Sequence, residues 1–456
     1  MSADPSRPSL TRRDLLRTAS AASAALAFPG MASAAETAIA PPRAAGTTSM
    51  MGVPFDRHDT VRIGMVGTGL RGSSVLGEFL SLDNVRVTAL CDIVPEKIQR
   101  NAKRITDAGH AAPALYSNGD HDFEHLVQRD DVDFVYTATP WPFHTPVCLA
   151  ALKAGKHCGT EVPAAMTLEQ GWDLVNASEK ARRHCMIMEN CCYDFNEMLV
   201  NTMVKKGLFG EILYAEGAYL HDLRSILFED RDEGLWRRLQ HTRRQGNFYP
   251  THGLGPVAWY LDIHRGDRFD YLVSMSTAER GLSQWREAHV PKDSPKWSEK
   301  YIEGDLNTSL IKTARGKTIL LEHGVSLPTP YDRLNSIRGT KGVFKDYPGR
   351  VYLDGQRGGE SFKPVEDFKN DYTHLLWQQL GERARKTGGE GGMDFIMAYR
   401  LIQCMHDGLP PDIDVYDAAA WSAPWPLSET SLTHGSTPVK FPDFSRGTWS
   451  TPRQGL

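Results

Sequence analysis

The feature that most constrains the fold is a junction near residue 61. The apolar run VRIGMV (61–66) passes straight into GTGLRG (67–72) and then into SSVLGEFLSL, whose apolar residues recur at helical spacing. Strand, glycine turn and helix in that order open a parallel α/β sheet. Gly67, Gly69 and Gly72 fit G-x-G-x-x-G, which gives a tight turn, a close backbone approach to a pyrophosphate, and a helix packed on its strand. The next strand, VRVTALCD, ends at Asp92, twenty residues beyond Gly72, where a carboxylate takes hydrogen bonds from an adenosine ribose. A glycine-rich turn and a capping aspartate explain each feature singly; a dinucleotide site also explains their spacing.

The alternation continues through VDFVYTATP (132–140), a helix over 144–154, HCGTEVP (157–163), a helix over 167–183 and CMIMENC (185–191). This predicts a Rossmann-type, doubly wound parallel sheet over residues 59–190. Ligands in such sheets lie beyond the carboxyl ends of the strands. Trp141, Pro142, Phe143 and His144, Glu161 and Val162, and Glu189 and Asn190 therefore converge on one crevice. After a helix over 196–206, long extended runs follow one another at 210–223, 269–277 and 305–327, the last a hairpin. They predict a second, α+β domain over 191–430 with a large, mainly antiparallel sheet. Helices over 371–386 and 393–407 either cover its face or return to the first domain. The proline-rich end from 423, and with it residues 431–456, reads as irregular.

The 456 residues support two domains, and Lys+Arg 52 against Asp+Glu 56 gives a net charge of only -4, which argues against a nucleic-acid partner. Seven cysteines without metal-type spacing read as core thiols. No metal is expected: His221 and Asp222, as neighbours on a strand, would point to opposite faces. The N-terminus has TRRDLL (11–16), an apolar stretch from Thr18 to Phe28 and Ala32-Ser33-Ala34, of A-x-A form. It resembles a twin-arginine export signal over residues 1–34, followed by a linker over 35–58. The resemblance implies passage through the twin-arginine machinery to a periplasmic or extracellular location. The apolar stretch is shorter than the roughly 20 residues that span a bilayer, so stable membrane insertion is not expected.

A nucleotide domain with Thr139-Pro140 after its fourth strand and E-x-P after its fifth, ahead of a sheet domain, resembles the Gfo/Idh/MocA oxidoreductases. That family usually carries Glu-Lys-Pro; here the run is Glu161-Val162-Pro163. Valine neither donates nor relays a proton, so an ordinary dehydrogenase would need its acid or base elsewhere. The finer motifs WPFH (141–144), EVPAAMTLE (161–169), MENCCY (188–193), GAYLHDLR (217–224), WRR (236–238), YPTHGLGP (249–256), TPYD (329–332) and GGMD (391–394) are similar to glycoside hydrolase family 109, the NAD-dependent α-N-acetylgalactosaminidases. The resemblance implies that Leu70, Arg71, Asp92, Trp141 to His144, Glu161, Val162 and Asn190 contact NAD. It implies that Tyr219, Arg237, Tyr249, Pro250, Thr251, His252 and Tyr331 line a carbohydrate site, with Glu189 beside both. Two departures bear on sugar preference: Pro163 and Ala164 replace an expected Ser and Gly, and Glu390 an expected His.

NAD-dependent glycosidases depart from the two-carboxylate scheme. Oxidation at C3 acidifies C2–H, the C1 substituent leaves by elimination, water adds, and C3 is reduced again. NAD then ends as it began, so it can stay tightly bound, be recycled, and travel inside an exported, folded protein. His252 is assigned to proton transfer on the C3/C2 side because an imidazole titrates near neutrality. Tyr219 and Tyr331 are the other catalytic candidates, with the division among Tyr219, Tyr249 and Tyr331 open. Arg237 sits in a charged run over 229–244 that by itself reads as a solvated face. Glu189, ending a buried strand, requires a partner. The rivals are a net sugar dehydrogenase and a non-catalytic, NAD-containing sugar-binding protein. A homo-oligomer is expected on fold analogy.

Overall fold

The computed structural model describes residues 40–453; the paired arginines and the A-x-A site lie outside them. The parallel sheet contains β1 (Val61–Val66), β2 (Val85–Cys91), β3 (Ala114–Tyr116), β4 (Phe134–Thr137), β5 (His157–Thr160) and β6 (Cys185–Ile187), in the order β3-β2-β1-β4-β5-β6. Strand order reverses between β1 and β4, which opens the ligand crevice there. Every residue of β1 except Arg62 is buried, as expected of a strand covered by helices on both faces. Those helices include α1 (Leu70–Leu80), α2 (Pro95–Asp107), α3 (Trp141–Lys153) and α4 (Leu168–Ala181).

After α5 (Phe195–Lys205) the second sheet is built from β7 (Ile212–Leu220), β8 (Phe269–Ser276), β9 (Asn307–Thr313), β10 (Thr318–Gly324), β11 (Ser336–Gly339), β12 (Gly342–Lys345), β13 (Arg350–Leu353), β14 (Lys363–Pro364) and β15 (Val439–Lys440). Its order is β14-β13-β12-β11-β7-β10-β9-β8-β15, antiparallel throughout except for the β7–β10 pair. On β9, Asn307, Ser309, Ile311 and Thr313 are buried while Leu310 is exposed, the alternation of a sheet covered on one face. α6 (Thr251–Tyr260) lies against β7, and α7 (Leu375–Thr387) leads into α8 (Met393–Asp407). α8 packs on α1 and β1, and α9 (Val415–Ser422) on α4 and β6. α8 and α9 thus return the chain to the nucleotide domain.

Two segments differ from the sequence expectation. The end from 423 is not irregular: α10 (Pro424–Thr433) packs on β8, and β15 then extends the sheet. Its prolines Pro424 and Pro426 fall in the first turn, where a backbone N–H has no helical acceptor and its loss costs nothing. Residues 50–58, expected as linker, are docked: Phe55 packs edge-on against His157 and His184 at 4.8 and 4.6 Å, and the Met50 N–H donates to the Tyr416 hydroxyl at 2.9 Å. No helix among the described residues is long and apolar enough to cross a membrane.

Candidate active site

A cleft of about 590 Å³ runs from the β1–α1 loop to the end of β7. Its nucleotide end is set by close backbone contacts. Gly67 has φ +85°, and a Cβ there would lie 2.7 Å from the Ala138 backbone; a Cβ on Gly72 would lie 1.9 Å from the Gly67 carbonyl oxygen. Gly69 faces open space, with the Lys97 Nζ nearest at 3.8 Å, and α1 starts there without a side-chain cap or an acidic residue in its first turn. An uncapped helix N-terminus on an open cleft suits a phosphate. Asp92 is fixed alongside, its Oδ2 accepting from the Thr68 N–H and hydroxyl at 2.6 and 2.9 Å and its Oδ1 from the Val94 N–H at 2.9 Å. Leu70 and Ile93 are 69% and 64% exposed and line this end, offering apolar surface to a planar base. These features fit a dinucleotide.

The middle of the cleft is a buried charge network. The Arg71 guanidinium donates to both Asp394 oxygens at 2.6 and 2.8 Å and lies 3.0 Å from Glu161. Glu161 also accepts from the Tyr136 hydroxyl at 2.7 Å, and Asp394 from the Asn190 amide at 2.8 Å. Burial pushes the Glu161 carboxyl up, against the pull of Arg71 and Tyr136. His144 sits between two carbonyls, its Nδ1 2.8 Å from Pro163 and its Nε2 2.8 Å from Thr139, which ties the ends of β4 and β5 together.

The far end depends on the crossing of α6 over β7. A Cβ on Gly253 would lie 2.2 Å from the Ala218 nitrogen, and one on Gly217 would lie 2.4 Å from the Gly253 carbonyl oxygen. Only glycine allows this approach, and it brings His252, in the first turn of α6, to 5.6 Å from the Tyr219 ring. His252 Nδ1 lies 2.7 Å from Oε1 of Glu189, which is fully buried. Burial opposes the Glu189 charge, but the adjacent His252 outweighs it and holds the carboxyl below its ordinary range. An ionised carboxylate only accepts, so Nδ1 is the donor of this pair, and the His252 side chain lines the cleft. Arg237 is buried above the rings of Trp141, Tyr249 and Tyr219, at 5.1, 4.9 and 5.8 Å. Its Nη1 donates to Glu233 at 2.6 Å, while Nη2 has no hydrogen-bond partner among the described residues. The Tyr331 hydroxyl accepts from Arg333 at 3.1 Å.

Residues 193–451 match the glycosyl hydrolase 109 C-terminal domain, and residues 61–189 the NAD-binding Rossmann fold of the GFO/IDH/MocA oxidoreductase family. A glycosyl hydrolase family 109 protein of Solibacter usitatus (strain Ellin6076) is 54% identical over 444 residues, 97% of this chain and 98% of that protein. One from Saccharopolyspora erythraea is 52% identical over 458 residues, 100% of this chain and 99% of its own length. The chain belongs to glycosyl hydrolase family 109. It is a glycoside hydrolase built on an NAD-binding fold. In fold it resembles levoglucosan dehydrogenase in complex with NADH and an NAD-binding oxidoreductase from Klebsiella pneumoniae; for each the TM-score is 0.65 at 17% identity, covering 84% of this chain and 99% of the other.

In this family 109 chain the cleft is lined by Gly67, Gly69, Leu70, Arg71, Asp92, Trp141, Phe143, His144, Glu161, Val162, Asn190, Tyr219, Arg237, Tyr249, His252 and Tyr331. Gly72, Pro142, Pro250 and Thr251 are not among the lining residues. Gly72 instead packs α1 on its loop, Pro142 points outward, and Pro250 and Thr251 are buried at the start of α6. Glu189 stands behind His252 and is not among the residues that line the cleft. Pro163 and Ala164 also lie off the cleft, and Glu390 lies on it. The charged run over 229–244 is not a solvated face: Arg237 and Arg238 are buried, Trp236 packs on Trp141 at 5.0 Å, and Asp232 meets Lys97 at 2.8 Å. His221 and Asp222 follow the end of β7, where strand alternation no longer applies; His221 enters the cleft and Asp222 grips Arg224. Sequence reasoning missed Asp394, Glu233 and His221 as site residues. GGMD and GAYLHDLR contained two of them, but no local rule said which residue turns inward. All seven cysteines are buried and free, and the sulfur atoms of Cys148, Cys158 and Cys185 lie within 4.8 Å of one another.

Proposed function

We propose that the chain hydrolyses α-N-acetylgalactosaminides by transient oxidation at C3, elimination across C1–C2, hydration and re-reduction, with NAD tightly held and recycled. One observation carries the reading: His252, held by the buried Glu189, opens into the same cleft as the dinucleotide loop and Val162, which cannot exchange a proton. When bound, NAD supplies a reversible hydride acceptor. Gly69 and the first turn of α1 would hold its pyrophosphate, Asp92 its ribose, and Leu70 and Ile93 its base.

His252 Nε2 takes the C3 hydroxyl proton, and the Glu189 carboxylate balances the imidazolium that forms. We assign C2–H to Tyr331 on geometry: it lines the cleft, and the Arg333 guanidinium lies 3.1 Å from its oxygen, the charge that must hold the phenolate against the rise burial imposes on the phenol. Arg237 offers its unpartnered Nη2 to the acetamido oxygen, and the rings beneath it exclude water. A recycled cofactor suits the export implied by the N-terminal segment, because the folded protein would carry its own NAD out of the cytoplasm. The open face of the second sheet, where Leu310 and Met275 are exposed, is where we place contact with a second copy.

The test is an aryl α-N-acetylgalactosaminide in heavy water, without added NAD, followed by NMR. Sugar release with deuterium at C2 is expected, along with one NAD recovered per denatured chain. Release without C2 deuterium overturns the mechanism. Net NADH formation with no release would make the protein a dehydrogenase.

A further inference from the structure

We propose that His221 delivers the proton that departs with the glycosidic oxygen, relayed from Tyr219, and takes one back from the water that replaces the aglycone; this rests on the oxidation–elimination reading above. The polar groups of the sugar end run in order from the buried to the open side. Glu189 is fully buried, His252 meets it, the Tyr219 ring is 5.6 Å from His252, and His221 Nδ1 is 3.2 Å from the Tyr219 hydroxyl. Beyond His221, exposed Glu390 lines the cleft and its charge reaches that imidazole. C3 must lie at the inner end, beside His252, Val162 and Asn190. The aglycone must then leave toward the open side, where Glu390 lies, and pass His221.

The ring of His221 is fixed edge-on to Tyr331 at 5.2 Å and to Tyr219 at 5.9 Å. Burial and the Arg237 charge favour its neutral form, so one nitrogen carries hydrogen and the other a lone pair. With the Tyr219 hydroxyl donating to Nδ1, hydrogen sits on Nε2, which has no partner among the described residues. As the C2 carbanion forms the C1=C2 bond, the C1–O bond breaks and its electron pair goes to the aglycone oxygen. That oxygen takes the Nε2 proton, and Nδ1 takes the Tyr219 proton. The phenolate is offset by the Arg237 guanidinium, 5.8 Å from the ring centre. Hydration runs the same transfers backwards: water adds its oxygen to C1, its proton goes to Nε2, and Nδ1 returns a proton to Tyr219.

The experiment compares the NAD-loaded wild type and His221→Gln on a methyl and a 2,4-dinitrophenyl α-N-acetylgalactosaminide in heavy water. Methanol needs a proton to leave and dinitrophenolate does not. The variant is expected to lose methanol release by ~100-fold and dinitrophenol release by about threefold or less, the usual weight of one general acid. Deuterium should still enter C2 of recovered methyl glycoside, because the earlier steps survive. Tyr219→Phe should share the leaving-group dependence, and imidazole added to His221→Gly should restore methanol release. An equal loss on both substrates, or loss of C2 exchange, overturns the assignment and leaves His221 a positioning residue at most. A wild type that neither exchanges C2–H nor releases sugar overturns the oxidation–elimination reading itself, and is told apart because the failure precedes any substitution.

Discussion

The two ends of the cleft are built on different principles. The nucleotide end is made of backbone: a loop of six residues, the first turn of one helix and the tip of the next strand, within about thirty consecutive residues. The other end, where we place the sugar, is made of side chains that follow β6, from β7 and the residues after it, from α6 and the loop before it, from the loop between β10 and β11, and from the 229–244 segment, brought together by tertiary packing. A backbone site is specified by where side chains are absent, and a side-chain site by which elements cross. Damage to the first should empty the cofactor and leave the aromatic wall standing; damage to the second should stop chemistry in a protein still loaded with NAD.

The largest effect should separate them most cleanly. His252→Ala is expected to lower turnover by ~1000-fold, within the range of a lost general base, with NAD content unchanged on denaturation. Glu189→Gln should fall less, because the imidazole remains but its tautomer is no longer enforced. Loss of NAD from His252→Ala would show that the ends are one site. The converse variant, Gly72→Ala, puts a Cβ where only 1.9 Å separates it from the Gly67 carbonyl oxygen. Shifting the loop costs about 3 kcal/mol, or ~100-fold in cofactor retention. Nucleotide released per chain measures it, and near-ultraviolet circular dichroism of the Trp141, Trp236 and Tyr249 cluster should stay as in the wild type.

Between the ends, Asp394→Asn removes one of the two carboxylates that hold Arg71. The expected loss is about 2 kcal/mol in denaturant unfolding, less than a fully broken buried pair, because Glu161 remains. This variant also tests how much of the site could be read from sequence. The nucleotide end was legible because its logic is local, with spacing alone tying Asp92 to the glycines. His252 and Arg237 stand out only through motifs matched to a family, and both line the cleft. Asp394, more than 300 residues from Arg71, carried no local signal: its position depends on α8 returning to the first domain, which the helix pattern left open. The strands between 336 and 364 are only two to four residues long, too short for alternation to register. α10 reads as irregular in sequence because its prolines weigh against a helix anywhere but in the first turn.

The smallest effect concerns acid, and it asks which half yields first. His157 and His184 stack at 5.6 Å under Phe55 at the edge of the nucleotide sheet. Burial drives their imidazoles down to about 2 and about 4. In the unfolded chain both titrate near 6.5. Below that pH the unfolded state binds protons that the folded state refuses, so stability is full above 6.5 and is lost toward 4, at no more than about 1.4 kcal/mol per pH unit for each histidine. The second domain has an opposing group: burial raises the Glu197 carboxyl to about 8. The folded state there takes up a proton between 8 and 4.5 that the unfolded chain does not, and gains stability as pH falls. Protection from hydrogen exchange, taken relative to the intrinsic rate at each pH, should therefore fall first between pH 7 and pH 4.5 at the amides of β5, β6 and residues 50–58, with β7 and α5 following. Replacing both histidines by phenylalanine should remove that order. If β7 opens first even in the wild type, acid sensitivity belongs to the sugar end, where His241 is pushed down to about 3 and Glu197 does not compensate for it.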